Sequence, residues 1–159
     1  MQLGILCVGR LKAGPEREIY ARYAGRVRAM RSLGFGGLDL REIDEGRARA
    51  ALARMSEEGD ALLAAVAPEA ALVAFDARGR AAASEEFAEL LARERDKGRK
   101  ALWFVIGGSE GLDERLRQRA QTTLSFGAMT LPHQLVRLLV AEQIYRALTI
   151  LAGHPYHRA

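Results

Sequence analysis

The fold is indicated most clearly by the segment Ala101-Leu-Trp-Phe-Val-Ile-Gly-Gly-Ser-Glu-Gly111, an apolar run that leads into a glycine-rich loop. The first six residues predict a buried β-strand, because they are consecutive apolar residues over the length of a typical strand. The polar segment 113–121 that follows predicts a helix. A strand, a glycine-rich loop and a helix in this order are typical of α/β proteins with a parallel sheet.

The rest of the chain repeats this alternation. Strand-like apolar runs lie at residues 3–8, 38–43, 71–75, 101–106 and, more weakly, 122–126. Apolar residues at helical spacing predict helices over 15–30, 47–66 and 84–95, and from residue 132 onward. The pattern predicts one α/β domain over residues 1–159 with a mostly parallel sheet. Taken alone it favours an unknotted Rossmann-like layout, because threaded chains are rare.

Composition limits the function classes. The only cysteine, Cys7, excludes an intrachain disulfide, and the first apolar run of six residues is too short for a signal peptide. These features predict a cytoplasmic protein without a membrane segment. Three histidines and one cysteine without ligand spacing give no metal site.

The basic charge is concentrated near the start of the chain. Residues 10–31 carry a local charge of +5, whereas the whole chain carries +4. The positive charge on the helix predicted over residues 15–30 indicates either a surface that contacts nucleic-acid phosphates or a solvated helix face. Because 21 of the 24 basic residues are arginine in an alanine-rich chain, genomic base composition could also explain the total.

The chain ends in Thr130-Leu-Pro-His-Gln-Leu-Val-Arg137, an apolar helix and the tail His154-Pro-Tyr-His-Arg158. A rigid helix followed by this tail could present two imidazoles, a phenol and a guanidinium together, so the tail is a candidate site. The alternative is a tail that only packs. The helix carries apolar residues on more than one face, which predicts a homodimer through residues 134–152.

Four segments in this order resemble the ribosomal RNA large subunit methyltransferase H family, of the knotted SPOUT methyltransferase superfamily. They are the end of the chain just described, Val8-Gly9-Arg10 with Lys12, Phe75-Asp76 with Gly79, and Ile106-Gly-Gly-Ser-Glu-Gly-Leu112. The resemblance covers nearly the whole chain. It implies a knotted (trefoil) SPOUT-type Rossmann-like domain in which the helix from Pro132 onward is threaded through a loop.

The resemblance also implies the cofactor, S-adenosyl-L-methionine, and the residues that hold it. These residues are Phe75, Gly107, Gly108, Phe126, Gly127, Ala128, Met129, Thr130 and Leu131. We expect the glycines to permit positive φ angles and close approach of a ligand to the backbone.

The implied reaction is methylation of N3 of a pseudouridine in 23S rRNA, on the assembled ribosome and by a homodimer. Tail residues are the candidate catalytic groups, with His154 or His157 as proton acceptor, Tyr156 for stacking or hydrogen bonding, and Arg158 for phosphate or for the deprotonated base. The alternative is a non-catalytic ribosome- or RNA-binding module in which the glycine loops are only turns.

Overall fold

In the computed structural model, which describes residues 1–157 except for the side chain of His157, five parallel strands form one sheet. The strands are β1 (Gln2–Val8), β2 (Leu38–Ile43), β3 (Ala71–Arg80), β4 (Ala101–Ile106) and β5 (Thr122–Leu124). Their order across the sheet is β2-β1-β4-β3-β5, and every pairing is parallel. The predicted parallel α/β fold is confirmed, and the trefoil knot stays a prediction.

Helices cover both faces of the sheet. They are α1 (Pro15–Ala29), α2 (Ala51–Ala64), α3 (Ser84–Asp96), α4 (Glu114–Arg119) and α5 (His133–Leu151). Helices α1, α3 and α5 share one apolar core with the sheet, and α2 and α4 share the other. No helix in the described part of the chain is long and apolar enough to span a membrane.

Strand β3 is longer than its apolar run predicts. The strand continues past Phe75 to Arg80, and Arg80 pairs with Leu124 of β5 after an irregularity in the register. Gly79 permits this pairing, because a Cβ atom there would lie 2.5 Å from the carbonyl carbon of Leu124. Residues 76–80 are mostly polar, so hydrophobicity could not place them in a strand.

Cys7 lies in the core, as predicted from its position in the first apolar run. Its side chain is fully buried, and this burial raises the pKa of the thiol to about 12. The thiol therefore stays protonated at neutral pH and packs as a small apolar side chain.

The strand order brings three loops together. Strands β4, β3 and β5 are neighbours and parallel, so the segments that follow their carboxyl ends lie side by side. Ligands of open α/β sheets bind at this edge.

Candidate active site

A cavity of about 450 Å³ lies at the carboxyl edge of β3, β4 and β5, beside the start of α5. Cavities of this size bind small molecules and cofactors. Eight of the nine predicted cofactor residues line it: Phe75, Gly107, Gly108, Phe126, Gly127, Met129, Thr130 and Leu131. Ala128 is not among the lining residues. The structure thus brings together three segments that are well separated in sequence, from Phe75 at the end of β3 to Leu131 before α5.

An aromatic wall bounds one side of the cavity. The rings of Phe75 and Phe126 are stacked, with centroids 5.1 Å apart and an interplanar angle of 18°. Phe75 is nearly buried, while Phe126 keeps 39% of its surface exposed. The wall is therefore fixed from behind and offers a flat apolar surface to a ligand ring.

The glycines of the loop 107–111 are needed for a reason other than the one predicted from the sequence. Positive φ occurs at Gly111, at 91°, and not at Gly107 or Gly108. A Cβ atom on Gly107 would lie 2.3 Å from the Gly111 carbonyl oxygen, and Gly108 forms an antiparallel bridge with Gly111. The missing side chains allow the loop to close on itself. A ligand can approach the backbone of this loop because of the shape that the closed loop adopts.

Asp76 joins the end of β3 to this loop. Its carboxylate accepts hydrogen bonds from the backbone N–H of Arg78, at 3.0 Å, and from that of Leu112, at 3.1 Å. Burial raises the pKa of this carboxyl, but the hydrogen bonds from Arg78 and Leu112 outweigh it and hold the pKa below its usual value. Asp76 is therefore charged and fully engaged by the protein, which makes it a support for the loop.

Helix α2 supplies a wall that the sequence pattern does not predict. Met55 lines the cavity, and the neighbouring Arg54 forms an ion pair with Glu110 of the glycine loop. Arg78, which is largely exposed, adds a positive charge to the lining. Nothing in the local sequence of α2 indicates these contacts, because they connect residues more than 50 positions apart.

Arg137 is a further residue that sequence reasoning missed. Its side chain is completely buried; it donates to Glu42 at 2.7 Å and to the Val8 carbonyl at 2.9 Å. Glu42 also accepts from the backbone N–H of Leu11. Arg137 therefore fastens the carboxyl ends of β1 and β2 to the first turns of α5. The feature of the sequence that could have indicated this role is an arginine inside an otherwise apolar helical segment.

The chain is similar to known proteins in sequence and in fold. The family described as "Predicted SPOUT methyltransferase" matches residues 1–157. The chain belongs to the SPOUT methyltransferase family.

Two relatives and one solved structure support this assignment. The ribosomal RNA large subunit methyltransferase H of Xanthobacter autotrophicus (strain ATCC BAA-1158 / Py2) is 56% identical over 160 residues, and that of Rhodopseudomonas palustris (strain BisB5) is 53% identical, each with full coverage of both chains. A probable methyltransferase from Bordetella pertussis Tohama I has the same fold, with a TM-score of 0.53 at 20% identity over 92% of this chain and 93% of that chain.

In this SPOUT protein, the described tail residues lie away from the cavity. Neither His154 nor Tyr156 lines it. The Tyr156 hydroxyl donates to Glu142 at 3.3 Å, and its ring meets Tyr145 edge-on with centroids 4.7 Å apart. Nδ1 of His154 accepts from the backbone N–H of Tyr156. Because α5 has 19 residues, its two ends are about 28 Å apart.

The environment of Tyr156 also limits its chemistry within one chain. Burial, the Tyr23 hydroxyl and the Glu142 carboxylate raise the pKa of Tyr156 to about 12. The phenol is therefore protonated at neutral pH and can donate a hydrogen bond but not accept a proton. The side chain of His157 and all of Arg158, which were also predicted to be catalytic, lie outside the described residues.

Among residues 1–157, no cluster of three His, Cys, Asp or Glu side chains could bind a metal ion. The charged groups near the cavity are instead paired with arginine, as in Asp76 with Arg78 and Glu110 with Arg54. The site is one of backbone groups, aromatic rings and ion pairs.

Proposed function

We propose that this protein transfers a methyl group from S-adenosyl-L-methionine to N3 of a pseudouridine in 23S rRNA, on the assembled ribosome in the cytoplasm. The observation that carries the proposal is the cavity at the sheet edge, in which the glycine loop and the segment 126–131 meet. The relatives are named as large-subunit rRNA methyltransferases, which supports the choice of substrate.

The cavity fits the cofactor. Its volume of about 450 Å³ suits a molecule of this size, and the exposed face of Phe126 suits the adenine ring. The positive Arg78 in the lining suits the cofactor's carboxylate. When bound, the cofactor supplies a methyl group on a positively charged sulfur, and the protein orients the accepting nitrogen and receives its proton.

We infer that the loops 107–111 and 126–133 are the loops of a trefoil knot, with the helix from Pro132 onward as the threaded element. A loop closed on itself by the Gly108–Gly111 bridge, and supported by Asp76, is held rigidly enough to shape a cofactor site.

We propose that the tail meets the cavity of a second protomer in a homodimer, because the described tail residues lie at the end of α5 that is distant from the cavity. Leu135 and Leu139 keep 44% and 39% of their surface exposed although they are large and apolar. Both leucines lie on the same face of α5 as Glu142 and Arg146. Glu142 accepts a hydrogen bond from the Tyr156 hydroxyl, and the Arg146 guanidinium stacks over the Tyr156 ring. Two α5 helices that pack antiparallel along this face place the tail of one protomer beside the cavity of the other. We propose that His154, Tyr156, His157 and Arg158 act there on the bound nucleotide.

Helix α1 carries exposed arginines that can contact RNA. Arg17 lies 3.8 Å from Glu42, and Arg26 stacks over the rings of Tyr23 and Tyr145. Arg22 and Arg28 are exposed and form no ion pair with any described residue. Exposed arginines on one helix suit contacts with phosphate groups, which supports a role for this surface in ribosome binding.

Calorimetry with S-adenosylhomocysteine, followed by methylation of ribosomes, tests the proposal. The ribosomes come from a strain that lacks this enzyme, and mass spectrometry of the digested RNA identifies the modified nucleoside. We expect micromolar binding and one N3-methylated pseudouridine per large subunit. Absence of binding at sub-millimolar ligand, together with intact ribosome binding, would instead support the non-catalytic RNA-binding module.

A further inference from the structure

The turn Val8-Gly9-Arg10 lies between the cavity end of α5 and the carboxyl end of β2. Gly9 has a φ angle of 79°, and a Cβ atom there would lie 3.1 Å from Nε2 of His133 and 3.3 Å from Oε1 of Glu45. Both polar groups therefore face the side of Gly9 that carries no side chain. This glycine keeps open the space in which an imidazole nitrogen and a carboxylate can approach one another.

His133 has an unusual environment. Its ring lines the cavity, but Nε2 is buried and has no hydrogen-bond partner among the described residues. A buried polar atom without a partner costs roughly 1–3 kcal/mol, so such atoms are rare and are found where a function needs them. Glu45 is exposed and is the nearest carboxylate to the same gap.

The two nitrogens of the imidazole are thus in different surroundings. Nε2 is buried beside the Gly9 turn, whereas Nδ1 is not among the buried atoms without a partner, so Nδ1 is the ring nitrogen that remains for a ligand in the cavity. Arg137, one turn further along α5, donates to the Val8 carbonyl and holds the turn in place. The position of Gly9 relative to His133 is therefore fixed by a buried contact.

We propose that His133 is the proton acceptor of the methyl transfer and that Glu45 is its positioning residue. Within residues 1–157 Nε2 has no partner, and the exposed Glu45 side chain needs only to turn into the gap at Gly9 to accept a hydrogen bond from Nε2–H. That bond leaves the lone pair of Nδ1 free for the substrate in the cavity. This proposal rests on the proposed function.

The accepting nitrogen of the substrate carries an imide-type N–H. The substrate nitrogen forms its new bond to the methyl carbon, the sulfur–methyl bond breaks and its electron pair stays on sulfur. The N–H proton goes to Nδ1 of His133, so the imidazole becomes a cation, and the carboxylate of Glu45 stabilises that cation. The proton then returns to water.

The described tail groups suit this role less well. Nδ1 of His154 already accepts a hydrogen bond from the Tyr156 backbone, and the high pKa of Tyr156 keeps its phenol protonated. His133 is on the rigid first turn of α5 and in the cavity itself. Within the described residues it is the imidazole best placed to receive a proton.

The first test observes the ligand-free protein. Long-range ¹H–¹⁵N correlation spectra at about pH 8, where an ordinary imidazole is neutral, report which ring nitrogen of His133 carries the proton. The His133 signals are those that disappear in His133→Gln. We expect the Nε2–H form in the parent protein and a mixture of both forms in Glu45→Gln. The Nδ1–H form in the parent protein would overturn the proposal.

The second test is single-turnover methyl transfer with saturating cofactor and ribosomes. We expect His133→Ala and His133→Gln to lower the rate by roughly 10²-fold or more, and Glu45→Gln by about tenfold. Cofactor affinity should change by less than about threefold. Added imidazole should restore part of the rate of His133→Ala, which a purely structural role would not allow. Glu69→Gln, an exposed carboxylate between α2 and β3, is the matched control.

Rates within about twofold of the parent in either His133 variant, or no rescue by imidazole, would overturn the proposal. Failure of the proposed function is distinguishable, because the parent protein itself would then neither bind S-adenosylhomocysteine nor methylate ribosomes. If His133→Ala does not fold, His133→Gln and the tautomer measurement still decide the outcome.

Discussion

The two ends of helix α5 are built in different ways. At the amino end, Arg137 is completely buried, and His133 and Val136 line the cavity. At the carboxyl end, Arg146 pairs with Glu142 at 2.7 Å with a side chain that is 29% exposed, and Tyr156 packs over it. The amino end is tied to the sheet by a buried ion pair. At the carboxyl end, the side chains of Arg146 and Tyr156 bind Glu142 of the same helix, while apolar residues such as Ile144 and Leu148 pack in the core. The cavity is lined by residues of one chain, and the described tail residues His154 and Tyr156 do not line it. Our proposal therefore assigns the tail to the cavity of a neighbouring protomer.

The largest expected effect tests this division. Deletion of residues 156–159 should leave folding and cofactor affinity intact and lower methyl transfer by about 10³-fold. The expectation follows from the proposed catalytic role of the tail and from the absence of His154 and Tyr156 from the cavity lining. A second variant, Thr130→Trp, should block the cavity and leave the tail intact.

Mixing the two inactive proteins provides the decisive measurement. In a mixed dimer, one intact cavity can meet one intact tail, so activity should reappear on mixing. If mixed dimers form and remain inactive, the tail does not serve the partner's cavity.

The next effect concerns stability at the two ends of the same helix. Arg137→Leu should lower the free energy of unfolding by roughly 3–5 kcal/mol, because it removes the buried guanidinium that pairs with Glu42 and donates to the Val8 carbonyl. Arg146→Leu should lower it by less than about 1 kcal/mol. Denaturant unfolding of both variants measures the two losses of stability. Equal losses would contradict the view that only the amino end of α5 is held by a buried ion pair.

Glycines at the two ends provide a smaller contrast. Gly107→Ala should weaken cofactor binding at least tenfold, about 1.4 kcal/mol, because its Cβ atom cannot fit beside Gly111. Gly153→Ala, at a φ of 63° with open space around it, should cost about 1 kcal/mol of stability and leave cofactor binding unchanged. Calorimetry and thermal unfolding separate the two results; unchanged affinity in a folded Gly107→Ala protein would remove this loop from the cofactor site.

The smallest expected effect depends on pH. The pKa of Asp76 is lowered in the folded protein, so its charged form stabilises the fold above the unfolded-state pKa of about 3.9, and this stabilisation disappears as the pH falls through the folded-state pKa. Asp76→Asn should therefore cost about 1 kcal/mol at neutral pH and progressively less below about pH 4. Asp39→Asn, on an exposed position of β2, is the control. A cost that does not change with pH would show that charge at Asp76 does not support the loop.

The sequence by itself determined the order of strands and helices and the segments that form the cavity. Runs 101–106 and 38–43 are strands with the predicted bounds. The first is a buried inner strand and is apolar throughout, whereas the second is an edge strand in which apolar and polar residues mix. The glycine loop and the segment 126–131 were identified by resemblance, and the structure places them around one cavity.

Only the tertiary structure decided which distant residues meet. Arg137 pairs with Glu42 across 95 positions, His133 faces the gap at Gly9 beside Glu45, and Tyr156 folds back on Glu142. Hydrophobic periodicity reports which face of an element is buried, but it carries no information about the partner of a polar side chain. Such partners are set by the strand order and by the packing of α5 on the sheet, and these are properties of the whole fold.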